Sequence, residues 1–439
     1  MKTVIRTTAH TTKFANKDKK IKLDLFLSDY GTAIDWFIDY FWENGTNVNG
    51  KIFCPKTNNW DIPPKFINVA VIPWKTEFPD LLVRAAKAAA EQSMSIISSS
   101  TIKYCKRIYA IKKALSVAPS PDTIKQLSDL LSNPPTKPKR DKTTKAELNS
   151  ICCKIITEYN DANKCFDSFV LLKSLGDKYG RIAIPINFHS SDNYWKRKGG
   201  QLMTSILVSY GNIDLRWKVP VKKNTGTKVV GADAGLVTTL WLYDKKDGEF
   251  STDTLSDAHG HTQQSIVEKI ARKKRGSAAY TKAVAHQQNF INWTINQLDF
   301  SDMKTLRLEN NKGIKDGARV SPKLRAWSWS KIHNSLAMKC KEKDVLLSLQ
   351  APEFKSQRCY CCGFVHKTNR KTRDDFECKN CGHKDNADLN SAKNQALDLF
   401  PINRSIVAGR NKTTGFFWDF DGLDFPGQAS VGNTTKYSP

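Results

Sequence analysis

No apolar run in this chain of 439 residues approaches the roughly 18 residues that a membrane-spanning helix needs, so no membrane is expected among its partners. The N-terminus, MKTVIRTTAHTTKF, lacks the apolar core of a secretory signal, and export is not expected. A cytoplasmic or nucleoid location follows for a prokaryotic chain and a nuclear one for a eukaryotic chain. In such a reducing compartment the 11 cysteines serve as thiols or metal ligands rather than disulfides. Acids are scarce: 43 Asp+Glu face 69 Lys+Arg, a net charge of +26. An excess of that size repels itself unless a polyanion neutralises it, and nucleic acid is the usual one. With 40% hydrophobic and 26% charged residues the composition is globular, and the length allows roughly two to four domains.

The patterning predicts its elements in order. TVIRTT and KIKLDLFL alternate and are expected as strands. From Thr32 to Trp42, Ile34, Phe37, Ile38 and Phe41 take helical spacing, stopped near Asn44-Gly45. The Ala-rich stretch 79–97, with Pro79 at its first turn, predicts a second helix. Residues 101–115 predict a third, carrying Lys103, Lys106, Arg107, Lys112 and Lys113. NPPTKPKRDKTTK (133–145) reads as an exposed linker. KPKRDK within it has the composition of a nuclear-import signal or of a solvated loop. FVLL, RIAIPINF, QLMTSILVSY and LRWKVPV read as short strands between about 165 and 220. KVVGADAG is a strand ending in an acid, followed by VTTLWLY and EFSTDTL. A long helical stretch, 262–298, has a basic centre at Arg272, Lys273, Lys274 and Arg275 and a breaker at Gly276. KTLRLE, a helix over 323–342 and the strand DVLLSL complete an α/β pattern with a mixed sheet. The aromatic tail beyond Pro401 has no clear period.

Three acids mark element ends: Asp233, Glu309 and Asp388. Singly, each is an ordinary solvated residue. Brought to one sheet edge, such hard oxygen donors suit Mg²⁺, and two ions about 3.5–4 Å apart perform phosphodiester hydrolysis. Just before Asp388 lie two CxxC knuckles, Cys359/Cys362 and Cys378/Cys381, at the spacing of a four-thiolate zinc ribbon. Four thiolates leave no open position for water, so one structural Zn²⁺ is expected. Cys361 is an extra thiol, but the regular register favours Cys359 and Cys362; His366 and His383 are expected to pack or face solvent, with a place as substitute ligands the alternative. Cys54, Cys105, Cys152, Cys153, Cys165 and Cys340 lack ligand spacing and are expected in the core. The basic clusters at 103–113 and 269–275 are either solvated faces or phosphate contacts. Trp327 and Trp329 are expected as core anchors of a helix, with base stacking the alternative.

GADAG with Asp233, LRLEN with Glu309, and SQRCYCCG…CKNCGHKDNADLNSAKN with Asp388 resemble the three RuvC-type motifs and interposed zinc ribbon of TnpB. These transposon-encoded RNA-guided DNA nucleases are related to the compact type V CRISPR effectors and to Fanzor proteins. The resemblance implies an α/β multidomain chain. Its RNase H-like RuvC nuclease domain would span 226–355 and 383–400, with a zinc ribbon binding target nucleic acid inserted at 356–382. A β-barrel wedge domain at 1–30 and 151–225 would be interrupted by a helical recognition domain at 31–150, with a tail of no assigned role at 401–439. The partners implied are a guide RNA and target double-stranded DNA. The activity implied is cleavage beside a short flanking motif, with Asp233, Glu309 and Asp388 holding Mg²⁺. A nuclease-inactive RNA-guided repressor on the same fold has no need of the acids, and a DNA-strand transposase has nothing beyond them in its favour.

Overall fold

The computed structural model describes residues 2–48, 51–117, 119–141, 145–157, 165–311, 320–372, 374–402, 407 and 409–426. They divide into two units, Ile5–Pro220 and Met1–Val4 with Val221–Pro439. Among the described residues no helix is long and apolar enough to cross a membrane.

In the first unit a helix, Lys17–Asn44, begins where the Asn16 side chain accepts the backbone N–H of Lys19 at 3.0 Å, as an N-cap does. KIKLDLFL, expected as a strand, is the early part of this helix. Its alternation is brief, whereas Leu23, Phe26, Tyr30, Ile34 and Phe37 fall on one buried face and carry the helical period through the whole element. The stretches 79–97 and 101–115 likewise form a single helix, Val83–Val117, with Pro79 lying before it. The intervening serines do not break it, because Ser99 and Ser100 return their hydroxyls to the carbonyls of Ile96 and Ile97 at 2.8 Å. Buried Ala85, Ala86, Ala89 and Ala90 keep its surface low, and Ser93 donates across to the Ile34 carbonyl at 2.9 Å.

Besides a small sheet of Thr46–Val48, Lys51–Cys54 and Asn59–Trp60, two sheets accompany these helices. One has the spatial order Thr3–Thr11, Asn212–Pro220, Gln201–Ser209, Ala146–Leu148; the other is Cys153–Ile156, Ser168–Leu172, Ile182–Ile186. Within the expected linker, residues 133–141 are tied down at two points. Arg140 grips both carboxylate oxygens of Asp35 at 3.0 and 2.9 Å, and Lys137 pairs with Asp39 at 2.8 Å; Lys142 to Thr144 lie outside the described residues. Cys54, Cys105, Cys152, Cys153 and Cys340 are buried as expected, but Cys165 is exposed, in the loop ahead of the Ser168–Leu172 strand.

The second unit is built on a mixed five-stranded sheet in the order Gly248–Ser251, Trp241–Asp244, Lys228–Asp233, Met303–Glu309, Leu346–Gln350. The last three strands run parallel. Side chains alternate across a sheet. Val230, Ala232, Leu306 and Leu308 turn to one face and pack with Val267, Ile291, Ile295, Ile332 and Leu336. Those residues come from the helices Gln263–Ala271, Ala278–Asn296 and Trp329–Lys343. The long 262–298 stretch is therefore two helices, parted around Gly276 with its φ of 85°. The 323–342 helix is also divided, into Pro322–Ala326 and Trp329–Lys343. Gly231 and Asp233 face the opposite side, where the helix Ala387–Gln395 lies. A Cβ on Gly231 would stand 2.1 Å from the Ala392 carbonyl oxygen, so glycine is what lets that helix settle on the strand.

The tail beyond Pro401, unplaced by its pattern, completes a small sheet. Phe416–Trp418 pairs with Phe364–Val365 of the first knuckle and with Leu423–Asp424. At the second knuckle, Asp375–Glu377 pairs with Lys384–Asn386.

Candidate active site

Strand register brings the first two acids together. Gly231 is opposite Arg307 and Ala232 opposite Leu308, so the next position juxtaposes Asp233 and Glu309 at adjacent strand ends on one face. The end of the Glu309 strand is anchored from below by Trp329, whose indole N–H donates to the Glu309 carbonyl at 3.2 Å. Trp327 and Trp329 are both buried, in the core position expected of them.

The third acid arrives on the helix that Gly231 admits. Asn386 caps this helix, accepting the backbone N–H groups of Asp388 and Leu389 at 3.0 and 3.1 Å. Asp388 thus sits in the first turn, where the helix dipole favours a carboxylate. Its Oδ2 would lie 3.4 Å from a Cβ at Gly235, which places this carboxylate over the GADAG turn. Asp385, which spacing alone would set one helical turn earlier, is on the strand Lys384–Asn386. It pairs with Lys393 at 2.7 Å.

Electrostatics show how close the three acids are. Burial, then the charges of Glu309 and Asp388, push the Asp233 carboxyl well above its ordinary range. Burial also raises Glu309, against the pull of the Asp233 hydrogen bond and of Lys355 and Arg370. Two cations that sequence reasoning missed therefore face the acids. Arg370 Nη2 donates to Asp388 Oδ1 at 2.8 Å. Lys355 is 5% exposed and bonds Gln395 Oε1 at 3.0 Å; burial pulls its ammonium down to about 8. Neither has a local signature in a chain with 69 Lys+Arg. An oxygen-only donor set that repels itself fits a hard divalent cation.

The sulfurs of Cys359, Cys362, Cys378 and Cys381 lie within 4.8 Å of one another. The Cys359–Cys381 and Cys362–Cys378 separations are 3.8 and 3.6 Å. A tetrahedron with Zn–S bonds of about 2.3 Å has edges of about 3.8 Å, so the group fits zinc. Hydrogen bonds from Cys359 and Cys378 hold the Cys362 thiol well below its usual range. Cys361 is exposed and outside the group. His366 is engaged by Thr368 and by the Thr413 carbonyl, and His383 lies near Asp385.

The asparagines of DLNSAKN join knuckle to helix. Asn390 accepts the Tyr360 N–H at 3.0 Å and donates to the Arg358 carbonyl at 2.8 Å. Asn394, one turn on, donates to the same carbonyl at 2.8 Å. Lys103, Lys106, Arg107, Lys112 and Lys113 are all exposed, outward of buried Cys105, Ile108 and Ile111. Arg272, Lys273, Lys274 and Arg275 are exposed in the break between two helices, and Arg272 reaches Glu268 at 3.4 Å.

A family model described as "Cas12f1-like, TNB domain" matches residues 329–395, the span that holds the thiolates, Arg370 and Asp388. The chain resembles the compact TnpB-like type V effectors. Two proteins named CRISPR-associated endodeoxyribonuclease Cas12f1 align with it. The one from Syntrophomonas palmitatica is 37% identical over 79 residues, 18% of this chain and 16% of that protein. The one from Sulfoacidibacillus thermotolerans is 25% identical over 139 residues, 31% of this chain and 32% of that protein. The match thus spans no more than about a third of either relative. A solved structure described as a Cas12f1–sgRNA–target DNA complex covers 90% of this chain and 99% of that chain, with 15% identity and a TM-score of 0.40. One described as the mini-RNA-guided endonuclease CRISPR-Cas_phi3 covers 90% and 93%, with 11% identity and a TM-score of 0.43.

Proposed function

We propose that the protein is an RNA-guided DNA endonuclease of RuvC type. The observation that carries this reading is the meeting of Asp233, Glu309 and Asp388 on one sheet face, with Arg370 on the last of them. When bound there, Mg²⁺ ions supply a nucleophilic water and stabilise the leaving oxygen of a phosphodiester. The chain's own residues do the rest. The three carboxylates hold the cations, Arg370 orients Asp388, and the buried neighbours exclude bulk water from Asp233. The Cys359, Cys362, Cys378 and Cys381 group holds a structural Zn²⁺ that fixes the Arg370 hairpin. The relatives' name, endodeoxyribonuclease, supports DNA as the substrate.

In this reading a guide RNA pairs with one strand of target double-stranded DNA, and the protein reads heteroduplex shape and a short flanking motif. The net charge of +26 serves that RNA, and the exposed Lys103–Lys113 and Arg272–Arg275 clusters are its candidate phosphate contacts. The β-rich and helical parts of the first unit act as wedge and recognition regions. The test is cleavage by protein purified with its copurifying RNA. Cutting that needs Mg²⁺, the RNA and a matching target supports the reading. Equal cutting of unmatched duplex by RNA-free protein overturns the RNA-guided part, and tight target binding with no cutting points to a repressor.

A further inference from the structure

The chain has only 8 histidines, and three of them gather at one place on the second unit. His259, His261 and His286 have successive ring centroids 6.2 and 5.0 Å apart. The segment Asp257–His261 is a closed loop. The Gly260 N–H bonds the Asp257 carbonyl at 2.9 Å, and the Asp257 N–H bonds the His261 carbonyl at 3.0 Å. Gly260 makes the turn with φ of 75°, a conformation that favours glycine. Inside it, Asp257 Oδ1 accepts the backbone N–H groups of His259 and His261, both at 2.9 Å. The carboxylate is thereby oriented before any side chain reaches it. Oδ2 faces two imidazoles: His286 Nε2, from the helix Ala278–Asn296, at 2.7 Å and His261 Nδ1 at 3.1 Å.

We propose that Asp257, His261 and His286 form a second metal site, one that takes a borderline transition-metal ion of the Zn²⁺ class and clips the 257–261 loop to the helix Ala278–Asn296. One oxygen and two imidazole nitrogens are the donors Zn²⁺ takes at about 2.0–2.2 Å, and a set poor in oxygen is unsuited to Mg²⁺. Bonds of that length set ligand atoms about 3.3 Å apart; the two oxygen–nitrogen separations are 2.7 and 3.1 Å and all three ligand atoms lie within 4.8 Å of one another, close enough for side-chain adjustment to bring them onto one ion. The backbone bonds on Oδ1 are the outer support that ligating carboxylates use. Access is open: the Asp257, His261 and His286 side chains are 21%, 34% and 27% exposed. The second His–Asp group among the described residues, His10, His189 and Asp192, opens to solvent only at His189. Asp192 is 1% exposed, and its oxygens are taken by Thr8, Trp217 and the His189 N–H. Three protein ligands leave a fourth position on the proposed ion for water.

The site is tested on the full chain by titrating Co²⁺ in the absorption spectrometer, followed by Zn²⁺ competition and thermal unfolding. Cobalt in a thiolate site shows intense sulfur-to-metal charge transfer. Wild type is expected to take up a further cobalt with ligand-field bands only, to release it to Zn²⁺, and to melt at higher temperature when it is bound. His261→Gln and His286→Gln should each abolish this uptake and the melting shift, whereas His259→Gln should keep both. Content of the thiolate-bound metal in each variant checks that it is folded. Wild type that takes up no metal outside the thiolate site overturns the proposal, as does undiminished uptake by both His261→Gln and His286→Gln.

Discussion

The Arg370 guanidinium lies 2.8 Å from the Asp388 carboxylate, so a residue between the two cysteine knuckles orients an acid on the helix that follows them. If Asp388 is a metal ligand, Arg370 is its outer partner. Arg370→Ala is expected to lower cleavage by about 10–100-fold while leaving RNA binding and melting temperature close to wild type. Single-turnover cleavage alongside a filter-binding assay checks both.

Replacing Asp233, Glu309 or Asp388 by Ala should reduce cleavage by at least about 100-fold with target binding retained. Asp385→Ala should cut normally, because Asp385 is spent on Lys393. If instead Asp385→Ala is dead and Asp388→Ala active, the third acid has been misassigned.

Gly231→Ala should be damaging although it adds one methyl group. That methyl would meet the backbone of Ala392 and Ala396 at 2.1 and 2.4 Å, and backbone cannot rotate aside. Overpacking of this kind costs about 1–3 kcal/mol, and the displaced helix takes Asp388 with it. A lowered melting temperature together with lost cleavage is expected. A variant that melts and cuts like wild type would show that the helix can shift freely.

Metal analysis of purified protein should find a zinc held by thiolates. Cys378→Ser should lose it and Cys361→Ser should keep it, since the Cys361 side chain is outside the group. Loss of that zinc in Cys361→Ser but not in Cys359→Ser would shift the ligand register. Chelation strong enough to strip it should also unsettle Arg370, and so lower cleavage even with Mg²⁺ restored.

The buried acids also predict a pH dependence in protein free of divalent ions. Burial and the charges of Glu309 and Asp388 raise the Asp233 carboxyl, and burial raises that of Glu309. The folded state therefore binds protons more tightly than the unfolded chain. Stability from these groups is fully present below the ordinary carboxylate range and falls as pH rises through their raised values. Asp233→Asn should then melt higher than wild type at neutral pH, with the difference closing below about pH 4. An Asp233→Asn gain that persists unchanged in acid would assign the effect to packing.

Much of the second unit could be read directly. KVVGADAG and LRLEN show apolar strands ending in acids, and parallel register then makes Asp233 and Glu309 neighbours. The CxxC spacing names four sulfurs that the structure brings together. What escaped reading has physical reasons. KIKLDLFL is too short for alternation to be told from helical period without Phe26, Tyr30 and Ile34 beyond it. The strands Phe364–Val365 and Leu423–Asp424 have two residues each, too few for any period. Arg370 and Lys355 reach the acids only through the folding of the knuckles, which spacing does not describe. The Asp257, His261 and His286 cluster joins a loop to a helix, and only the loop half, DAHGH, is contiguous.

Gly231 and its covering helix also set a timetable. The acids come from three separate places in the chain, and the helix Ala387–Gln395 docks on a strand laid down more than 150 residues earlier. Non-local pairings of this kind form slowly, because loop closure precedes any reward from contact. A chain still leaving the ribosome has Asp233 and Glu309 long before it has Asp388, and the strands that finish the first knuckle, Phe416–Trp418 and Leu423–Asp424, come later still. Under the proposed function, the nascent protein gathers the first two acids of its site before the third, and fragments ended by premature termination ahead of the knuckles are born without Asp388.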